Sequence, residues 1–206
     1  MMWRPHTLWG ARTKSLLGTL AVAAAVVVAP ALAANTAAAG RTVQDPGHQF
    51  TLSVPSTWSV EAPSGNVTLA ATAPEPGRGL PDSLDVVVRG VPSGMSPQSC
   101  ESEAEWVTQH FAHINFSTVS KGPTTVAGLP AYAHEYTWKA SNGETRWSRQ
   151  VCLVQQGKAF VLIGTTAADA AALAGHAGLL AQIVNSLHIA SKPGAGSPSS
   201  QPSTTR

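Results

Sequence analysis

A β-hairpin is predicted near the middle of this chain of 206 residues. Residues 132–153 read YAHEYTWKASNGETRWSRQVCL, with a strand-like run on each side of Asn142-Gly143. Asn-Gly between two such runs is the strongest short-range sequence signal for a two-residue hairpin turn. The sequence therefore predicts two antiparallel strands here, and the rest of the fold is interpreted around them.

The register of this hairpin assigns its aromatic residues to one face. The turn pairs Ser141 with Glu144, and successive pairs then alternate between the two faces of the sheet. The aromatic face holds the candidate partner or ligand surface, which consists of Tyr136, Trp138, Trp147 and Arg149. Rings near a turn lie at the edge of any covering helix, and exposed aromatic patches are typical of binding sites. Burial of this face as ordinary core under the second helix is the commoner, competing interpretation.

Other short runs bounded by proline and glycine predict more strands. They lie at residues 50–54, 58–60, 66–73, 84–91 and 158–165. The last of them is apolar on both faces, so it is expected to be a central strand that is covered on both sides.

Two helices complete the predicted fold. Ser96 and Pro97 suit a helix start, and the apolar stripe that follows consists of Cys100, Ala104, Val107, Phe111 and Ile114. An alanine-rich run over residues 169–187 predicts the second helix. The sequence therefore predicts an α+β fold, an α/β/α sandwich with a mainly antiparallel central sheet and a helix on each face.

The chain has two cysteines, Cys100 on the first predicted helix and Cys152 on the second strand of the hairpin. In an exported protein such a pair is most simply a disulfide, and the small Ala133 expected beside Cys152 leaves room for the helix to approach. A bridge over a loop of this length would stabilise the fold by about 4 kcal/mol in the chain-entropy model. Two free, buried thiols are the alternative.

The two ends of the chain differ in composition from the middle. Residues 1–33 combine a basic start, an apolar run and Ala31-Leu32-Ala33, which predicts a signal peptide cleaved near Ala33. An uncleaved anchor is the alternative, although the apolar run is short for a membrane span. Residues 34–42 and the Ser/Pro-rich tail 190–206 are predicted to be disordered. The predicted domain therefore covers residues 43–189, and the protein is expected outside the cytoplasm, secreted or associated with the cell wall.

Charge and motifs argue against several classes of function. The predicted leader carries three of the positive charges, so residues 34–206 sum to −1 and show no basic patch for nucleic acid. His110 and His113 lack a third metal ligand at a recognisable spacing, and no Gly-x-Ser-x-Gly motif marks a hydrolase. No cofactor and no metal are predicted.

Three further motifs have a familiar order along the chain. Residues 50–58 read FTLSVPSTW, residues 126–132 read VAGLPAY before the hairpin, and the closing helix ends at Asn185-Ser-Leu-His188. This order resembles the PsbP/Mog1-like superfamily, and within it the exported LpqN/LpqT-type envelope proteins of actinobacteria. The resemblance implies the sandwich fold and an accessory, binding or assembly role. LpqN-type proteins are typically lipoproteins, whereas the first cysteine of this chain is Cys100, far beyond the apolar run.

The expected function is that of an exported, non-enzymatic binding or accessory module for a protein, lipid or glycan of the cell envelope, with no stable membrane anchor once the signal is cleaved. The alternatives are a secreted hydrolase with an unrecognised active site and a structural wall component. A binding module is expected to expose a patch around Trp138 and Trp147. An enzyme is expected to bring a histidine together with a nucleophile and an acid.

Overall fold

The computed structural model describes residues 40–74, 79–110 and 116–190. The predicted signal peptide and the tail beyond Ala190 lie outside the described residues. The predicted disorder of residues 34–42 is wrong for 40–42, because these residues belong to a strand that pairs along residues 51–55.

The structure contains ten strands and two helices within the described ranges. In chain order they are β1 Gly40–Gln44, β2 Phe50–Pro55, β3 Ser59–Glu61, β4 Leu69–Thr72, β5 Ser83–Gly90, α1 Pro97–His110, β6 Phe116–Val126, β7 Leu129–Lys139, β8 Thr145–Gln155, β9 Lys158–Ala167, α2 Ala170–Asn185 and β10 His188–Ile189. Seven strands form one sheet in the order β3-β4-β5-β9-β8-β7-β6, and β1, β2 and β10 form a smaller one. Every pairing is antiparallel, which confirms the predicted α+β class.

Strand β9 lies between β5 and β8, in the central position predicted for it. On one side, Ala159 and Val161 pack in a cluster with Cys100 of α1. On the other side, Gly164 lies under α2, where an added Cβ would come within 3.1 Å of a Leu180 methyl. The α1-contacting surface of the large sheet, which includes Val161 of β9 and Cys152 of β8, is called the α1 face below.

The hairpin forms where predicted, but its register differs by one residue. Gly143 has a φ of 84° and donates its N–H to Ala140 O at 2.9 Å, while Ala140 donates to Glu144 O at 2.9 Å. A three-residue loop with glycine in the left-handed region therefore replaces the predicted two-residue turn. Trp138 lies opposite Arg146 instead of Trp147. Because a one-residue shift exchanges the faces of a strand, the predicted partners on β8 point the other way.

Helix α1 begins as predicted, with the Ser96 hydroxyl accepting the Ser99 N–H at 3.0 Å. The predicted apolar stripe is partly wrong. Cys100 and Glu101 are the buried residues of this helix, whereas Val107 is exposed. Phe111 and Ile114 lie outside the described residues. The helix is therefore rotated so that Glu101 enters the interior.

Candidate functional site

The α1 face is only partly covered, and a cavity of about 610 Å³ lies between α1, strands β5 and β9 and the loop at residues 63–68. We call this cavity the α1–β5 groove. Its apolar lining comes from the sheet and from the helix and includes Val87, Ala104, Val107, Val161 and Ile163. Its size and largely apolar lining are typical of small-molecule sites, which range from about 300 to 1,000 Å³.

One buried polar atom on the groove lining lacks a partner. Gln150 is 1% exposed and lines the groove. Its amide nitrogen donates to Glu101 Oε2 at 2.9 Å, but its amide oxygen has no hydrogen-bond partner among the described residues. Leaving a buried acceptor unsatisfied costs about 1–3 kcal/mol. Because the same side chain lines the groove, a hydrogen-bond donor bound there would lie near this amide.

A second cavity, of about 440 Å³, adjoins the groove because both are lined by Thr108 and Ile163. Its floor contains Trp138 and Tyr136. The Trp138 indole N–H donates to Ser148 Oγ at 2.9 Å, and burial raises the pKa of Tyr136 to about 12. These two aromatic side chains are thus held in place, and Tyr136 stays un-ionised.

Ionisable groups also line this second cavity. Burial, followed by the negative charge of Glu61, raises the pKa of Asp85 above its ordinary value. Arg146 is 2% exposed and donates to Leu80 O and Pro81 O, both at 2.7 Å. It therefore fixes the chain segment that forms one wall of the cavity.

The predicted aromatic surface is wrong as a single patch. Tyr136 and Trp138 both line the second cavity, although Tyr136 is buried. Trp147 is instead buried in the main hydrophobic core. Arg149 lies opposite Glu135 of β7, and the two side chains form an ion pair at 3.5 Å. The register shift is the physical reason, because it moves Trp147 and Arg149 to the opposite face of the sheet from Trp138.

A polar cluster around Glu101 lies under α1 and was not predicted. Glu101 Oε1 lies 3.0 Å from His134 Nδ1, and both side chains are fully buried. Burial raises the pKa of Glu101 to about 7, although the hydrogen bonds from Gln150 and Cys152 act to lower it. Burial and the positive charge of Lys121 lower the pKa of His134. Below pH 7 the pair is therefore mainly uncharged, with the proton on Glu101.

The histidine of this cluster also reaches a surface hydroxyl. His134 Nε2 lies 2.9 Å from Thr118 Oγ1 on the neighbouring strand, and Thr118 is exposed. The His134 ring is held between aromatic neighbours, with ring-centroid distances of 5.3 Å to Phe116 and 5.0 Å to Tyr136. An acid, a histidine and a hydroxyl are thus connected from α1 through β7 to β6.

The two cysteines lie together in the same region, but they are free thiols in the structure. The predicted contact between α1 and β8 is present, whereas the predicted bond is not. The Cys152 thiol donates to Glu101 Oε2 at 3.5 Å. Hydrogen bonding to Cys100 and burial raise the pKa of Cys152, so this thiol stays protonated and able to make that contact.

Neither a metal-ion site nor a membrane-spanning helix is present among the described residues. No group of three or more His, Cys, Asp or Glu side chains within these ranges is arranged to hold a metal ion. No helix of the described part is long and apolar enough to cross a membrane. His113, one of the two histidines considered as metal ligands, lies outside these ranges.

No protein-family profile and no curated protein matches this chain. Several solved structures, however, are similar to it. The cyanobacterial PsbP protein (CyanoP) of Synechocystis sp. superposes with a TM-score of 0.58 at 14% identity, covering 74% of this chain and 94% of that one. The chain has a PsbP/Mog1-like fold.

Two more structures share the PsbP/Mog1-like fold with this chain. LpqN, described as involved in cell envelope biogenesis of Mycobacterium tuberculosis, has a TM-score of 0.51 at 16% identity, over 74% of this chain and 91% of its own. The Ran-binding protein Mog1p of Saccharomyces cerevisiae has a TM-score of 0.51 at 12% identity, over 73% and 95%. The superfamily resemblance inferred from short motifs is therefore confirmed at the level of the fold.

Proposed function

We propose that this protein is an exported, non-enzymatic binding or accessory module of the cell envelope, and that the α1–β5 groove is its ligand site. The observation that carries the proposal is the unpartnered amide oxygen of Gln150, a residue that lines the groove. The fold is consistent with this arrangement, because α1 packs on β7, β8 and β9 and covers only part of the seven-stranded sheet. The uncovered part of the α1 face is then available to a partner.

The chemistry of the groove limits the ligand. Valine, isoleucine and alanine make up seven of its fifteen lining residues, so a ligand is expected to place apolar surface there. At the groove wall, Arg89 and Glu103 form an ion pair at 2.7 Å, with both side chains partly exposed. The proposed partner is an envelope protein, lipid or glycan that combines an apolar part with a hydrogen-bond donor for Gln150.

Two valines provide a matched test of the groove. Val107 lines it and is 44% exposed, whereas Val119 is 59% exposed and lies on β6 away from the groove lining. Because both side chains already face solvent, arginine at either position is expected to change stability by less than about 0.5 kcal/mol. We expect Val107→Arg to reduce the recovery of bound lipid, glycan or protein from envelope extract about tenfold or more, through charge placed in an apolar site.

The control variant Val119→Arg is expected to recover the same material as the wild type. Bound material is measured by mass spectrometry of the washed protein. Equal recovery by wild type and both variants would exclude the groove as the binding site.

Export of the protein would also change the oxidation state of its two cysteines. In an oxidising compartment the adjacent Cys100 and Cys152 thiols are expected to form the disulfide that the structure lacks. Alkylation under denaturing conditions should then label neither cysteine of the exported protein until a reductant is added. The same chain produced without residues 1–33 in a reducing cytoplasm is the control, and both of its thiols should be labelled. Labelling of both thiols in the unreduced exported protein would contradict the proposal.

A further inference from the structure

We propose that Thr118 is an acylation site, whose hydroxyl takes the acyl group from an activated ester with His134 as the base and Glu101 as the group that orients the base. This inference goes beyond the binding function and does not depend on it, since Thr118 does not line the α1–β5 groove. The sequence alone offered no acid for His134, because the adjacent Glu135 lies on the other face of β7.

The geometry has the elements that hydroxyl activation requires. Thr118 Oγ1 lies 2.9 Å from His134 Nε2, and His134 Nδ1 lies 3.0 Å from Glu101 Oε1. A hydroxyl, a histidine and an orienting carboxyl in this order form the arrangement that activates serine nucleophiles on unrelated folds. Glu101 is itself fixed by Gln150 at 2.9 Å, which limits the freedom of the acid.

The three side chains differ in how accessible they are to solvent. Thr118 is exposed and lies at a register irregularity of β6, since Thr118 pairs with Tyr136 and Ser120 pairs with Glu135. Such bulges redirect side chains and are common next to functional sites. His134 and Glu101 are fully buried, so an acyl donor enters from the Thr118 side.

The protonation state of Glu101 decides which side chain, Glu101 or His134, donates the hydrogen bond between them. When Glu101 is ionised, His134 donates from Nδ1 to the carboxylate, and Nε2 is free to accept the Thr118 proton. When Glu101 is protonated, its hydroxyl donates to Nδ1 instead, so Nε2 carries the hydrogen and Thr118 is not activated. The other groups that act on this pair are Lys121, Glu105 and the Cys152 thiol. The reaction rate should therefore rise as pH passes about 7, where Glu101 ionises.

The proposed step is balanced without a further reagent. The bond from Thr118 Oγ1 to the acyl carbon forms, and the bond from that carbon to the leaving alcohol oxygen breaks. The Thr118 proton passes to His134 Nε2 and then to the leaving alcohol. Because the His134 ring is 0% exposed, water has no direct access to it, and the acyl group is expected to stay on Thr118 rather than turn over.

The test uses p-nitrophenyl acetate as the acyl donor and locates acetyl groups by peptide mass spectrometry. We expect acetylation of Thr118 in the wild type and in Thr118→Ser, and none at this position in Thr118→Ala. Ser117, exposed on the same strand, provides the matched control, and Ser117→Ala should leave the rate at Thr118 unchanged. The absence of acetyl at Thr118, or equal rates at Ser117 and Thr118, would overturn the proposal.

A second variant separates activation from mere proximity. Glu101→Gln keeps the size of the side chain but cannot become a carboxylate, so the rate at Thr118 should fall about 100-fold and lose its rise near pH 7. Thermal unfolding of the same sample shows that it is folded. A folded Glu101→Gln protein that acetylates Thr118 at the wild-type rate would show that Glu101 is only structural.

Discussion

Replacing Glu101 by alanine is expected to lower the free energy of unfolding by about 3 kcal/mol. The substitution leaves a void under α1 and removes the partner of three buried groups, His134, Gln150 and Cys152. Each abandoned donor or acceptor costs about 1–3 kcal/mol, which local relaxation partly recovers. Urea denaturation at pH 6, where Glu101 is mainly protonated, measures the loss.

Glu103 on the same helix provides the matched control. It is exposed and pairs with Arg89 at the surface, so Glu103→Ala should cost less than about 1 kcal/mol. Glu101→Gln should fall between the two, because the amide keeps the volume and part of the hydrogen bonding. If Glu101→Ala is as mild as Glu103→Ala, the cluster under α1 does not contribute to stability as the structure indicates.

Replacing Arg146 by alanine should have an effect of similar size, also about 3 kcal/mol. The guanidinium is buried and donates to Leu80 O, to Pro81 O and to Glu144 Oε1 at 2.9 Å. Without it, the two carbonyl oxygens and the carboxylate lose a charged donor, and the segment at residues 80–81 loses its two hydrogen bonds to β8. The change should appear both in urea denaturation and as faster amide hydrogen exchange around Leu80.

Arg149 allows a matched comparison on the same strand. It is partly exposed, and its ion pair with Glu135 spans 3.5 Å, so Arg149→Ala should cost less than about 1 kcal/mol. The predicted register placed Arg149 on the aromatic face, whereas the observed one places Arg146 there. Equal losses for the two variants would contradict the observed register.

The hairpin shows how far the sequence could predict the sheet. Asn142-Gly143 located the turn correctly, and the alternation of side chains identified both strands. The register depends on whether the loop has two or three residues, and Asn-Gly fits both, because Gly143 can occupy the left-handed region in either. That difference of one residue was enough to place Trp147 in the core and Trp138 in a cavity.

The position of Glu101 was missed for a related reason. A carboxylate near the start of a helix, one residue after the core-facing Cys100, is typical of a solvent-facing charge that complements the positive helix end. The spacing from Glu101 to Ala104 and Thr108 is also that of a helix face, and it was the available signal. Only the partners on β7 and β8 make burial of this acid favourable, and they are more than thirty residues away.

The α1–β5 groove could not be predicted from any local pattern. Its walls come from the loop at residues 63–68, from β5, from α1 and from β9, which are joined only through the sheet order. In the sequence, a valine or isoleucine of the groove has the same pattern as a residue of the hydrophobic core. The groove exists because one helix of fourteen residues lies over part of a broad sheet.

The proposed function requires that ligands bind in the α1–β5 groove. The most direct measurement is an NMR titration of the isotope-labelled protein with the material that the wild type recovers from envelope extract. Backbone amide shifts should concentrate at Val87, Gln150 and Ile163, and Val107→Arg should abolish them. Shifts confined to the cavity lined by Ser53, Leu179 and Gln182 would contradict the claim.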